Sequence, residues 1–182
     1  IYGANASGKT NVLEAFYYMK KKVLISDDSK INLLGNDEDV YTFMINNKPI
    51  SFEVEILAKN NKKYKYGFEI ANDIIVSEWL YEKKINKFYT IFDRKDNDIN
   101  LKDQKNKLFA YVNINEKSLF LSAYFRIDNK NEDFKNVYEW FINAYYLNLG
   151  NPSIENSLNS KISANILEDN KYKKELLTFI KT

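Results

Sequence analysis

Eight residues near the start of the chain have the types and order that phosphate chemistry needs: Gly3, Ala4, Asn5, Ala6, Ser7, Gly8, Lys9 and Thr10. Together they spell the Walker A loop, G-x-x-x-x-G-K-T. Gly3 lets the chain leave a strand through a tight turn. Successive backbone N–H groups can then form a concave nest for phosphate oxygens. Gly8 leaves room for the backbone to come close to them. Lys9 offers a point charge to the β- and γ-phosphates, and the Thr10 hydroxyl is a natural Mg²⁺ ligand. A helix starting here would add its positive end. The chemistry is the binding of ATP with Mg²⁺. The chain has 5 glycines, so placing two of them in this loop marks a local requirement and not a glycine-rich composition.

A working ATPase also needs a Walker B strand, an apolar run ending in Asp and usually Glu, to hold the metal and polarise water. Ile74-Ile75-Val76-Ser77-Glu78 has the apolar run but Ser where Asp is needed. Ile166-Leu167-Glu168-Asp169 has too few apolar residues. No signature of the Leu-Ser-Gly-Gly type occurs, and Gln104, the only glutamine, lies in a charged stretch. The catalytic acid is therefore not assigned, with Glu78 and Glu168 the first residues to test. With no histidine and no cysteine, the chain has no imidazole acid–base pair, thiolate metal site or disulfide. The acidic runs Asp27-Asp28 and Asp37-Glu38-Asp39 lack EF-hand spacing and read as a solvated loop over 26–47.

Apolar spacing predicts a helix from Thr10 to about Ile25, with Val12, Leu13, Phe16, Met19, Val23 and Leu24 near one face. Lys20-Lys21-Lys22 then read as its solvated end, complementing the helix dipole. Between 51 and 101 the period changes to two. Phe52, Val54 and Ile56 alternate with polar residues, as do Tyr64, Tyr66, Phe68 and Ile70. Ile74–Glu82, Phe88–Arg94 and a short segment after Asp96-Asn97-Asp98 come next, so an antiparallel meander is predicted. Its aromatics suit a core face better than a base-stacking platform. From about Lys117 the pattern is helical again, with a second patch over Asn131 to Leu147, a break at Gly150-Asn151-Pro152 and a last helix after Asp169-Asn170.

The loop Gly3 to Thr10 and the adjoining run Asn11-Val12-Leu13-Glu14-Ala15-Phe16 resemble the RecF/SMC branch of ABC-type ATPases. The runs 49–56, 64–69, 77–81, 118–122 and 137–141 resemble bacterial RecF-like "AAA family ATP-binding" proteins, relatives of the OLD-family ATPases that are often labelled abortive-infection or phage-resistance proteins. The resemblance covers most of the chain. It implies a head-to-head homodimer sandwiching ATP in a longer protein, with an effector nuclease or DNA reading the result, and a role in antiviral defence.

The fold class expected is α/β, the N-terminal part of one P-loop ATPase domain over 1–182. Its parts are a P-loop and helix over 1–25, the meander over 48–101 and a mainly helical part over 115–182. The start without Met, two residues before the loop, and a helical pattern still running at Thr182 suggest truncation at both ends. Net charge of +2 is too balanced to predict a nucleic-acid footprint. No apolar run is long enough to span a membrane and no secretory leader is visible, so the expectation is a cytoplasmic protein without a membrane partner. Two other readings remain open. A P-loop nucleotide or small-molecule kinase would want an arginine-rich lid, and Arg94 and Arg126 are the only arginines. A non-catalytic interaction domain would carry the loop as a vestige.

Overall fold

The computed structural model describes residues 8–24, 48–102, 112, 114–128 and 130–144. The loop over 26–47, Gln104, the break at Gly150, Glu168 and the last helix lie outside them. Helix α1 spans Lys9–Leu24. Five strands come after it: β1 Ile50–Leu57, β2 Lys63–Ala71, β3 Ile74–Lys84, β4 Lys87–Lys95 and β5 Asp98–Leu101. Two helices come next, α2 Phe120–Ile127 and α3 Glu132–Asn143. The fold is α/β, and the sheet is the predicted meander, in the order β1-β2-β3-β4-β5 with each adjacent pair antiparallel.

The alternation sets the faces. Val54, Tyr66, Leu80, Phe92 and Leu101 stand opposite one another across all five strands, and all but Val54 are buried. Tyr64, Tyr66, Phe68 and Ile70 are fully buried, as the period of two requires. The core-face aromatics meet the helices: Tyr18 of α1 on Phe52, Phe141 of α3 edge-on to Tyr66, and Phe120 of α2 edge-on to Phe92. Each such side chain withdrawn from water contributes about 1.5–3 kcal/mol.

The turns obey local chemistry. Asn72 and Asp73 both have positive φ, which matches the type I′ loop that a two-residue hairpin favours. Two bulges adjust the sheet, where Val76 and Ile91 are skipped in the pairing. The second lets the consecutive residues Ile91 and Phe92 both be buried.

The helices depart from the sequence reading in three places. Val12 is 58% exposed and Leu13 37%, so the first half of α1 does not bury the predicted stripe; Met19, Lys22 and Val23 do the burying. The lysine run is not simply a solvated end. Lys22 is buried and paired with Asp73 at 3.2 Å, and Asp73 also pairs with Lys117 at 3.3 Å. Lys20 donates to the carbonyl oxygens of Ile142 and Ala144 and is partly desolvated, which lowers its pKa. Finally, α3 ends at Asn143 rather than Leu147. Its start is as expected, with the Asn131 side chain accepting from the N–H groups of Asp133 and Phe134. At its end, Lys20 satisfies carbonyls that a longer helix would have paired internally.

Candidate functional site

The described part of the phosphate loop is its last turn, Gly8-Lys9-Thr10; Gly3, Ala4, Asn5, Ala6 and Ser7 lie outside the described residues. Gly8 has φ +80°, a conformation that L side chains rarely adopt, and a Cβ built there would meet nothing within 4 Å. Glycine is thus required by the backbone and not by crowding. Its carbonyl accepts the Val12 N–H at 3.1 Å, which makes Gly8 the cap of α1. Lys9 is the first helical residue and half-buried, and Thr10 is exposed in the first turn. That turn contains no acidic side chain to offset the positive end of a helix of 16 residues. The arrangement suits a phosphate near Gly8 and Lys9, with the Thr10 hydroxyl open to a hydrated Mg²⁺.

The far end of α1 is held by the rest of the fold. The Ser122 hydroxyl of α2 donates to the Val23 carbonyl at 2.6 Å, Lys20 reaches the end of α3, and Lys22 reaches the β2–β3 turn. Phe16 packs edge-on to Trp140 of α3.

Glu78 has a structural post. It points to the core face of β3, its side chain fully buried. Oε1 accepts from the Tyr66 hydroxyl at 2.9 Å and the Leu121 N–H at 3.0 Å; Oε2 accepts from the Phe120 N–H at 2.5 Å. The cap residue of α2, Leu119, has no side chain able to do this. Glu78 therefore caps α2 from across the sheet, where a carboxylate also suits the helix dipole. Arg94 lies beside it and donates to the carbonyl oxygens of Ser118 at 2.5 Å, Asn115 at 3.3 Å and Asp96 at 2.8 Å. Burial lifts the Glu78 carboxyl to about 7 against the pull of these donors and of Arg94. Burial likewise lowers the Arg94 pKa and raises that of the Tyr66 hydroxyl. The signal that could have shown this was the alternation itself, which puts Glu78 in phase with Leu80 on the buried face. Among the described residues no group of three or more acidic side chains could hold a metal ion.

A glycine-capped, lysine-led helix packed with two others on an antiparallel sheet is an α/β arrangement consistent with part of a P-loop nucleoside-triphosphatase domain. A family profile described as "AAA domain, putative AbiEii toxin, Type IV TA system" matches residues 1–171, and the chain belongs to that family. No curated protein and no solved structure matches it. Among the described residues no helix is long and apolar enough to cross a membrane.

Proposed function

We propose that this chain is the nucleotide-binding lobe of an ATPase of the ABC/RecF type, binding ATP with Mg²⁺ through Gly3 to Thr10. The observation that carries the reading is the start of α1: a positive-φ glycine cap, then Lys9 and Thr10, with no acid in the first turn. Lys9 would face the β- and γ-phosphates and Thr10 the metal. Bound Mg²⁺ would supply charge neutralisation across the phosphates. Hydrolysis belongs to a longer protein, in which two heads enclose the nucleotide and an effector or nucleic acid responds. A place in anti-phage defence fits both the sequence resemblance and the toxin–antitoxin wording of the family description. The kinase alternative loses ground because Arg94 is buried on backbone carbonyls, leaving Arg126 for a lid.

Titration with a fluorescent ATP analogue tests the loop. Lys9→Ala should weaken binding by about 1.5–3 kcal/mol, the worth of a charge-assisted contact. Equal affinity for the variant and the parent would remove the assignment.

A further inference from the structure

The sheet ends, at the β1–β2 and β3–β4 turns, in an unusual group of side chains. Leu57 is 58% exposed, Phe88 41% and Tyr89 46%. Ile85, at the tip of the β3–β4 hairpin, is 93% exposed and has φ 53°. A β-branched residue in the left-handed region is a true outlier, costing roughly 1–2 kcal/mol where Asn or Gly would cost little. Strain of this kind together with an exposed apolar tip points to use by a partner.

Lysines collar the tip. Leu57, Lys63, Lys83 and Phe88 stand opposite one another across four strands, and Lys84 and Lys87 flank the loop. The Lys65 and Lys83 ammonium groups lie 4.8 and 5.2 Å from the Phe88 ring centre, and Lys84 lies 5.6 Å from that of Tyr89. The acids nearby are Glu53, paired with Lys65 at 3.0 Å, Glu55, paired with Lys65 and Lys83, Glu82, whose side chain is buried between Lys62 and Lys84, and Asp133, paired with Lys62. Lys63 and Lys87 make no ion pair among the described residues. Lys62, Lys63, Lys65, Lys83, Lys84 and Lys87 outnumber these acids, so the net charge of this end is positive.

We propose that this hairpin end docks on an anionic lipid leaflet, with Ile85 and Leu57 entering the headgroup boundary and Lys63, Lys83, Lys84 and Lys87 facing lipid phosphates. The combination decides the partner class. A phosphodiester backbone would engage the lysines but offers nothing to bury two exposed aliphatic side chains. A leaflet takes both, with aromatic rings at headgroup level and lysine stems lying along the apolar side chains. The proposal does not depend on nucleotide binding.

Co-sedimentation of the chain with phosphatidylglycerol vesicles, against phosphatidylcholine vesicles, is the test. Binding should occur on the anionic vesicles and fall steeply near 1 M salt, where the screening length is about 3 Å. Ile85→Asp and the pair Lys84→Glu/Lys87→Glu should each weaken it at least tenfold. Ile85→Asp should keep or raise the melting temperature, since Asp tolerates the left-handed conformation. No binding to anionic vesicles overturns the proposal, as does binding that Ile85→Asp leaves unchanged. Single-strand DNA binding that these variants abolish, without vesicle binding, would replace it with a nucleic-acid contact.

Discussion

Glu78 and Arg94 are register partners on β3 and β4, side by side on the buried face of the sheet, with Oε2 and Nη1 3.8 Å apart. That spacing is long for a direct charge-assisted hydrogen bond. Glu78 instead accepts from the N–H groups that open α2 and from the Tyr66 hydroxyl, and Arg94 donates to the carbonyls just before α2. The pair fixes where α2 begins, and α2 in turn receives the end of α1 through Ser122.

Glu78 should make stability depend on pH in the opposite sense to a carboxylate whose pKa is lowered by an ion pair. Its carboxyl rises from an ordinary 4.5 to about 7 in the fold, so between these values the native state holds a proton that the unfolded chain releases. The resulting contribution is complete below about pH 4.5 and is lost as pH climbs through 7. Denaturant titrations of the parent and Glu78→Gln should show a gap that narrows over this range, by at most about 1.4 kcal/mol per pH unit. A gap that stays flat or widens would mean that the carboxylate is ionised throughout.

Tyr66 is fully buried, touches Phe141 edge-on and donates to Glu78. Tyr66→Ala should cost about 3–5 kcal/mol, as large aromatic deletions in a core do. Tyr66→Phe should cost about 1–3 kcal/mol, since it leaves Glu78 one donor short. An unchanged melting temperature with loss of single-strand binding would favour the stacking-platform reading instead.

Gly67 is held to glycine by crowding. A Cβ there would come within 2.5 Å of the Trp79 ring and 2.6 Å of the Phe52 carbonyl oxygen. The indole crosses this gap to donate to Glu53 at 3.0 Å. Gly67→Ala should therefore destabilise the fold by about 1–3 kcal/mol. Removing the indole as well, in Gly67→Ala/Trp79→Ala, should not restore the stability of Trp79→Ala alone, because the Phe52 oxygen belongs to the backbone. Full restoration would show that the indole is the sole obstacle.

The chain by itself should bind nucleotide but hardly hydrolyse it. On the proposed reading, Lys9, Thr10 and the loop N–H groups would grip ground-state ATP about as well as the transition state, and uniform binding does little for the chemical step. Glu78, the acid nearest to a Walker B pattern, is buried and occupied as a helix cap. Phosphate release should stay near background here and become Lys9-dependent in a longer protein with both heads. Lys9-dependent turnover of about 1 per second by the chain alone would point to an acid among its other residues, Glu168 first.

The meander was legible because alternation over Phe52–Ile56 and Tyr64–Ile70 records burial directly in residue type. The start of α1 was legible because Gly8, Lys9 and Thr10 stand in the order of a tight glycine turn running into a helix. The buried polar links were not. Glu78 finds its partners Phe120 and Leu121 at separations of 42 and 43 residues, and no local period encodes such a distance. Lys20 and Lys22 misled for the same reason, since a lysine run looks alike whether water, a distant carbonyl or a distant carboxylate receives it. Val12 and Leu13 misled differently: their spacing marks a helix face but does not say how far along the helix its neighbours extend.

The strictly sequential strand order carries a kinetic consequence. Among the described residues every strand pairs only with its neighbour in sequence, so each hairpin closes a short loop at small entropic cost. The contacts that seat α1 span far more chain, 99 residues from Ser122 to Val23 and 124 from Lys20 to Ala144. Loop closure thus favours a sheet that forms early and an α1 that docks late. The helix carrying Gly8, Lys9 and Thr10 would then reach its place only on a scaffold already built, and errors in that last step would spare the sheet while costing the phosphate loop its anchorage.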